Sequence, residues 1–300
     1  MKKLKAIFVM VGLVTGIVSV SGQERITKKF TGIDEIEISV SSGDAIFKKS
    51  SNNEVSVELV HTFNIEYVPS FRQSGSKLDI DDKEAGGRYN SYSGSATWTF
   101  YIPDNINVEF ETGSGDAEIA GLSLEFEMSS GSGDFDITNS KGEIEIKTGS
   151  GDIDVRNVEG DLEFSTGSGD IELGDVVASI KASTGSGSVD ADDIEISERS
   201  SFSSGSGDVA VTLAKTPDFD LSVSSGSGDA TLDFNGNQME GVVVMQINKE
   251  RGRIRAPFDF DSEEELGEGR NTRLKKTKKF SDKDIRISVR SGSGTAEINK

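Results

Sequence analysis

The sequence predicts an all-β protein: a β-solenoid of stacked two-strand coils with a β-rich N-terminal cap. Three observations predict this fold. A Gly-Ser-Gly-Asp motif recurs every 18 residues, apolar residues keep fixed places around each copy, and those places are two residues apart. A spacing of two is the period of a strand, because successive side chains point to opposite faces.

Each copy of the repeat is defined by the residue that follows Gly-Ser-Gly, which we call the corner position. In the regular copies the corner position is Asp116, Asp134, Asp152 and Asp170. Ser188 takes it at the same interval, Asp208 and Asp229 follow after 20 and 21 residues, and Thr295 closes the series after a long insertion. An early, degenerate copy is Ser42-Gly43-Asp44.

Apolar residues lie eight and six residues before the corner positions, and one and three residues after them, with Ser200 as the one exception. Ile144 and Ile146 precede Asp152 in this way, and Ile153 and Val155 follow it. Strands this short cannot bury an apolar face alone, but coils stacked about 4.8 Å apart share one interior. An antiparallel meander is the alternative, since hairpins also alternate. Identical spacing in coil after coil favours the solenoid.

The Gly-Ser-Gly corner has a predicted conformational role. Glycine adopts positive φ without steric cost, so we expect it to let the chain reverse direction between strands. Aspartate beside it is expected to accept hydrogen bonds from N–H groups of the same turn, as in Asx turns.

The first residues have the features of a secretory signal peptide. A lysine-rich start is followed by an apolar run, residues 6–20, and then by polar residues, so we expect cleavage after Gly22. A membrane anchor is the alternative, but the run is shorter than the roughly 20 residues that span a bilayer. We therefore expect an extracytoplasmic chain, periplasmic, surface-located or secreted, with no stable membrane anchor after cleavage.

After the signal peptide, residues 1–22, the chain is expected to divide into four parts. They are the N-terminal strands and cap, 23–110, the regular solenoid, 111–232, an insertion with acidic and basic runs, 233–284, and a terminal coil, 285–300. In the cap we expect strands at 33–40, 54–60, 77–80 and 97–102, and an exposed loop at 84–95. Opposite charges at 263–265 and 275–279 predict segments of the insertion that fold back on each other.

Composition excludes several classes of function. With 52 acidic and 32 basic residues the formal charge is −20, so a nucleic-acid partner is not expected. The chain has no cysteine and one histidine, which removes disulfide frameworks, zinc fingers, cysteine nucleophiles and most histidine-based triads. No cofactor is expected.

The segment Thr99-Phe100-Tyr101-Ile102-Pro103, which leads into Val108 to Asp116 and then into reiterated Thr-Gly-Ser-Gly-Asp, resembles a known family. It is similar to the bacterial toastrack, or "putative adhesin", β-strand-repeat proteins over residues 30–298. The resemblance implies an extracytoplasmic β-solenoid with no known enzymatic residues, linked to adhesion or sensing at the cell envelope. Some members carry a membrane segment, whereas this chain shows only the predicted signal peptide.

The corner aspartates are the candidate cation-binding residues: Asp116, Asp134, Asp152, Asp170, Asp208 and Asp229. Stacked in register they would repel one another unless exposed or bridged by cations, and calcium prefers oxygen ligands. In the calcium-binding nonapeptide, however, the aspartate falls where this chain has Ile153 or Ile171. We therefore expect solvated aspartates that cap the backbone, and no metal.

Other features have competing interpretations. The threonines at 112, 148, 166 and 184 could form an ice-binding row, but turn chemistry explains one threonine per coil more simply. Lys275–Lys279 could bind acidic glycans, although lysines that protect an edge strand are the simpler explanation. His61 is expected on a strand surface, and Trp98 in the core or cap.

The sequence thus predicts a secreted or periplasmic, non-enzymatic protein: an adhesin-like or sensing module whose partner is a cell-envelope protein or glycan. The alternative is a polysaccharide-active enzyme on the same scaffold. Such enzymes gather carboxylates or a basic residue in one cleft, whereas these carboxylates are spread along the rod.

Overall fold

The computed structural model describes residues 14–20, 23–63, 69–82 and 94–300. Most of the predicted signal peptide lies outside the described residues, although 14–20 form a strand. The predicted loop at 84–95 also lies almost entirely outside them. No helix in the described residues is long and apolar enough to cross a membrane.

Every regular element of the described residues is a strand, except one short 3-10 helix, Gly269–Asn271. The N-terminal strands are β1 Val14–Val20, β2 Gln23–Thr31, β3 Glu35–Ser42, β4 Asp44–Lys49, β5 Glu54–His61, β6 Ser70–Ser74, β7 Lys77–Asp81 and β8 Ala96–Ile102. The repeat strands are β9 Asn107–Ser114, β10 Ala117–Ala120, β11 Glu125–Ser130, β12 Phe135–Thr138, β13 Lys141–Thr148, β14 Ile153–Arg156, β15 Glu159–Thr166, β16 Ile171–Thr184, β17 Val189–Ile196, β18 Ser200–Ser204, β19 Val209–Leu213, β20 Leu221–Ser225 and β21 Ala230–Asp233. The C-terminal strands are β22 Val242–Asn248, β23 Arg253–Arg255, β24 Ser262–Leu266, β25 Arg273–Lys279, β26 Arg286–Ser291 and β27 Thr295–Asn299.

The repeat strands stack in parallel and form two sheets, which confirms the predicted all-β solenoid. The front sheet holds the strands before each corner, in the order β7, β3, β9, β11, β13, β15, β16, β18, β20, β26, β22. The back sheet holds those after it, in the order β8, β4, β10, β12, β14, β16, β17, β19, β21, β27, β23. The described strands make eleven coils, and β16 runs from the back sheet into the front sheet.

The stacking order differs from the chain order at both ends. β7 and β8 lie outside β3 and β4, although β9 and β10 follow them in the chain. Likewise β22 and β23, from the insertion, lie outside β26 and β27. The placement of residues 285–300 as the terminal coil is therefore wrong, because an inserted coil can stack beyond a strand that comes later in sequence.

Antiparallel strands extend both ends of the solenoid. At the N-terminal end β5 pairs with β8, β2 with β5, and β1 with β2. At the C-terminal end β25 pairs with β22, and β24 with β25. Across the last pair Lys275 contacts Glu264 at 3.1 Å and Lys276 contacts Glu263 at 2.9 Å. The lysine run thus lies on an inner strand and not on the edge strand that was expected.

The core lies between the two sheets and is built from the predicted apolar places. Ile144, Ile146, Ile153 and Val155 are all at most 1% exposed. At the N-terminal end aromatic rings fill it: Trp98 is buried, as predicted, and its ring stacks on Phe100 with centroids 6.0 Å apart.

His61 is also buried, so its predicted surface position is wrong. It continues the inward alternation of β5, whose other inward residues are Val55, Val57 and Leu59. Burial lowers the pKa of its imidazole, and the nearby Glu24 carboxylate opposes that shift.

Candidate functional site

The six corner aspartates predicted as cation-binding candidates form a series of hydrogen bonds between coils, which we call the corner ladder. The series is interrupted at Ser188, where the corner residue is not an aspartate. In each case Oδ1 accepts a hydrogen bond from the backbone N–H of the corner residue in the next coil. The distances are 2.6–3.0 Å for Asp116, Asp134, Asp152, Asp170, Asp208 and Asp229. The prediction placed the donors in the same turn, whereas they belong to the next coil. These side chains therefore bind the coils to each other.

Hydroxyl groups hold the same corner from the inside. The Thr166 hydroxyl accepts a hydrogen bond from the Gly169 N–H and donates one to the Gly151 carbonyl of the previous coil, both at 3.0 Å. Thr148, Thr184, Ser204, Ser225 and Ser291 repeat this pair of contacts. Thr112, Thr148, Thr166 and Thr184 are buried, so they form turn contacts and present no exposed row.

Glycine is required at the corner because the coils stack closely there. A Cβ atom on Gly151 would lie 1.8 Å from the Gly133 carbonyl oxygen, and one on Gly207 would lie 2.1 Å from that of Gly187. Positive φ, the predicted reason, occurs at Gly115 but at no later Gly-Ser-Gly corner. Positive φ occurs instead where the chain leaves the back sheet for the next front-sheet strand, at Asn139, Asn157, Asp175 and Asp193, with φ of 53° to 56°.

An acidic hollow of about 520 Å³ adjoins the corner ladder at its N-terminal end. Corner aspartates line one side of it, and the outward residues Glu118, Asp136 and Asp154 of the back sheet line the other. Burial, and then the charges of Asp154 and Glu118, raise the pKa of Asp136. The described part of the chain contains no group of three or more acidic or histidine side chains arranged to hold a metal ion. Cation binding by the corner aspartates stays a prediction.

A second row of carboxylates crosses the outward surface of the front sheet. Register places six of them side by side, and we call this row the front column: Asp79, Glu37, Glu109, Glu127, Glu145 and Glu163. Neighbours in it are one strand spacing apart, about 4.8 Å between backbones. The front column was not singled out from the sequence.

Cations neutralise the front column at its ends but not in its middle. Lys77 pairs with Glu37 at 2.7 Å, Lys147 pairs with Glu145, and Lys181 pairs with Glu163 at 2.9 Å. Glu109 and Glu127 form no ion pair with any described residue. Burial raises the pKa of Glu109, and the charges of Glu37, Glu127 and Glu111 raise it further.

A signal for the front column was present in the repeat. It occupies the position seven residues before each corner, between the two inward apolar residues, where glutamate stands before Asp44, Asp116, Asp134, Asp152 and Asp170. The corner and the apolar places alone predict the fold, and the front column lies in the outward places between them. Outward residues on stacked strands are the ones free to contact a partner.

The geometry favours binding over catalysis. Glycosidases bring two carboxyl groups to opposite sides of one bond. The described carboxylates instead form rows along the rod, with the corner ladder committed to backbone N–H groups. A row of this kind offers a repeated negative surface to a partner with matching positive charge.

Comparison with known proteins identifies the repeat. The family model described as Toastrack DUF4097 matches residues 33–256, which confirms the resemblance found in the sequence. No curated protein matches the chain.

Several solved structures match most of this chain. They include a "putative adhesin" from Bacteroides fragilis, 13% identical with a TM-score of 0.43, covering 91% of this chain and 96% of its own. A "putative adhesin" from Parabacteroides merdae is 14% identical, TM-score 0.44, with coverage of 92% and 96%. A "putative lipid binding protein" from Parabacteroides distasonis is 18% identical, TM-score 0.49, with coverage of 93% and 98%. These likenesses are too distant to transfer a function.

Proposed function

This chain belongs to the Toastrack DUF4097 family, and from that premise we propose that it is a non-enzymatic, adhesin-like module of the cell envelope. It is exported by a signal peptide, residues 1–22, and works outside the cytoplasm as a rod-shaped binding protein. Its partner carries positive charge and contacts the front column.

One observation carries the proposal: the front column is in register and outward-facing, and no described residue forms an ion pair with Glu109 or Glu127. Like charges held side by side by the backbone repel, and a cationic partner relieves that repulsion. Because the rigid ladder of strands fixes their spacing, the carboxylates are ordered before the partner arrives, which reduces the entropy lost on binding.

The test is binding of a basic peptide, decalysine, to the chain after removal of residues 1–22, measured by calorimetry at physiological salt. The double variant Glu109→Gln/Glu127→Gln is expected to weaken binding about tenfold. The control Glu198→Gln/Glu250→Gln makes the same change in net charge on exposed residues outside the column, and is expected to change binding less than twofold.

Equal losses in the two double variants would show a response to net charge alone and overturn the assignment to the front column. A parallel incubation with a panel of polysaccharides tests the enzymatic alternative. Release of shortened sugars, abolished by neutralising one carboxylate, would replace the binding function with a catalytic one.

A further inference from the structure

The surface of the front sheet reverses its charge toward the C-terminal end. Seven residues before the corner, glutamate gives way to Lys181 and then to Ser201, Ser222 and Ser288. Beside the last of these serines, β26 carries Arg286 and Arg290 on the outward surface. A chain with a formal charge of −20 therefore has a cationic region on one sheet surface.

Two adjoining hollows share Arg290 in this region. The smaller, of about 260 Å³, is lined in part by Arg199, Ser222, Arg286, Ser288 and Arg290. The larger, of about 560 Å³, is lined in part by Gln246, Asn248, Arg251, Arg273 and Arg290. Together they are of the size that small polar ligands occupy.

Most of this positive charge is unpaired. Among the described residues none forms an ion pair with Arg251, Arg273, Arg286 or Arg290. Arg199 is committed to Asp220 at 2.9 Å, and Asp220 also accepts the Arg286 backbone N–H at 2.8 Å. The one carboxylate that lines the smaller hollow is thus already occupied, and the arginines are left for a ligand.

Ser288 gives an independent sign of a ligand. It lies between Arg286 and Arg290 on β26, is only 5% exposed, and lines the smaller hollow. Its hydroxyl has no hydrogen-bond partner within the part of the chain that the structure describes. Buried hydroxyl groups are normally satisfied, and a ligand oxygen in the hollow would satisfy this one.

We propose that the two hollows form one binding site for an acidic oligosaccharide. Arg286 and Arg290 hold a carboxylate of the ligand, since guanidinium groups match carboxylates with paired hydrogen bonds. Ser288 binds an oxygen of the same sugar. In the larger hollow Gln246 binds ligand hydroxyls, because its side-chain amide both donates and accepts hydrogen bonds.

The composition of the hollows favours a sugar over a lipid. The large apolar side chains exposed in the described part of the chain are Tyr101, Val177, Phe219 and Leu266, and none of them lines either hollow. Among the described residues, no exposed large apolar side chain therefore lies beside the arginines to hold an acyl chain, whereas hydroxyl and amide groups suit a polar ligand.

The test is calorimetric titration of the chain, without residues 1–22, with trigalacturonic acid at physiological salt. We expect saturable binding, and none to the neutral trisaccharide galactotriose. Arg290→Gln is expected to weaken binding at least tenfold, the effect of losing a charge-assisted hydrogen bond. Arg253→Gln is the matched control and should change binding less than twofold, because Arg253 is exposed on the back sheet and forms no ion pair with a described residue.

Ser288→Ala separates ligand binding from folding. It removes a hydroxyl that has no described partner in the free protein, so we expect weaker binding with no fall in the melting temperature. Absence of trigalacturonate binding, equal losses in the two arginine variants, or full binding by Ser288→Ala would each overturn the site. So would stronger, Arg290-dependent binding to phosphatidylglycerol vesicles, which would assign the hollows to a lipid head group.

Discussion

The acidic and cationic halves of the front sheet share one backbone and one core but have opposite surfaces. Their inward residues are interchangeable: Ile144 and Ile146 in one half correspond to Leu221 and Val223 in the other, and all four are buried. Their outward residues are not, since Glu145 corresponds to Ser222. The inward places determine the fold, so the outward places are free to carry function.

The corner contacts are the same in both halves. Thr166 in the acidic half and Ser225 in the cationic half make the same two hydrogen bonds to glycine backbone. The corner aspartates likewise bond to the next coil in both. The Gly-Ser-Gly-Asp motif is therefore a structural device, which explains why it recurs where the surfaces differ.

The largest effect is expected from filling the corner. Gly151→Ala in the acidic half and Gly207→Ala in the cationic half each place a methyl group about 2 Å from a backbone oxygen. We expect both to destabilise the fold by about 3 kcal/mol or more, or to prevent folding. Ser150→Ala, an exposed neighbour, is the control and should cost less than about 0.5 kcal/mol. A clear difference between the two glycine variants in chemical denaturation would show that the halves are not structurally equivalent.

A charge in the core is expected to be nearly as damaging. Ile153→Asp in the acidic half and Ile298→Asp near the C-terminus both bury a carboxylate in an apolar interior. Because β27 has a neighbour on each side and Ile298 is 2% exposed, we expect both to lower stability by about 3–5 kcal/mol. Ile254→Asp, on the outer strand β23, where the residue is only partly buried, should cost less. Melting temperatures that fell only for Ile153→Asp would contradict the observed stacking order.

A smaller effect, confined to the acidic half, is expected from pH. The folded protein raises the pKa of Glu109, so this group binds its proton more tightly when folded. Its stabilising contribution is present below the ordinary pKa of glutamate and is lost as pH rises through the folded value. Denaturation from pH 4 to 7 should therefore show Glu109→Gln gaining stability relative to the unmodified chain as pH increases. A gain that shrank with rising pH would contradict the assigned repulsion.

The smallest effect is expected from calcium. Sodium and calcium at equal ionic strength should raise the melting temperature alike, because screening depends on ionic strength and the corner carboxylates already bind backbone. A specific site would give a saturable gain. A micromolar calcium effect that disappears in the Asp134→Asn/Asp152→Asn/Asp170→Asn variant would make the corner ladder a cation site.

The sequence predicted the inward-facing residues of this structure well and the arrangement of the outward-facing residues poorly. Strict two-residue spacing around Asp152 determined the strands, the core and the stacking, since each inward place is constrained by its neighbours. The positions of β22 and β23 beyond β26 and β27 could not be predicted, because nothing local to a strand states which coil lies next to it. The close approach of the Gly151 and Gly133 backbones could not be predicted either, because it depends on how two whole coils stack.

The front column can be found in the sequence only by comparing the outward residues of successive coils. Glu109 and Glu127 differ in no local way from other exposed glutamates, and only the 18-residue register shows that they are adjacent. The cationic hollows were hidden for another reason: Arg251, Arg273 and Arg290 come from separate segments that the insertion brings together.

The most direct test of two opposite surfaces on one scaffold is a crossed binding experiment. Decalysine and trigalacturonic acid are each titrated into Glu109→Gln/Glu127→Gln and into Arg290→Gln, with melting temperatures recorded alongside. We predict that the carboxylate variant loses affinity only for decalysine and the arginine variant only for trigalacturonic acid. If each variant affected both ligands in the direction set by net charge, the two surfaces would not be separate sites and the account would be contradicted.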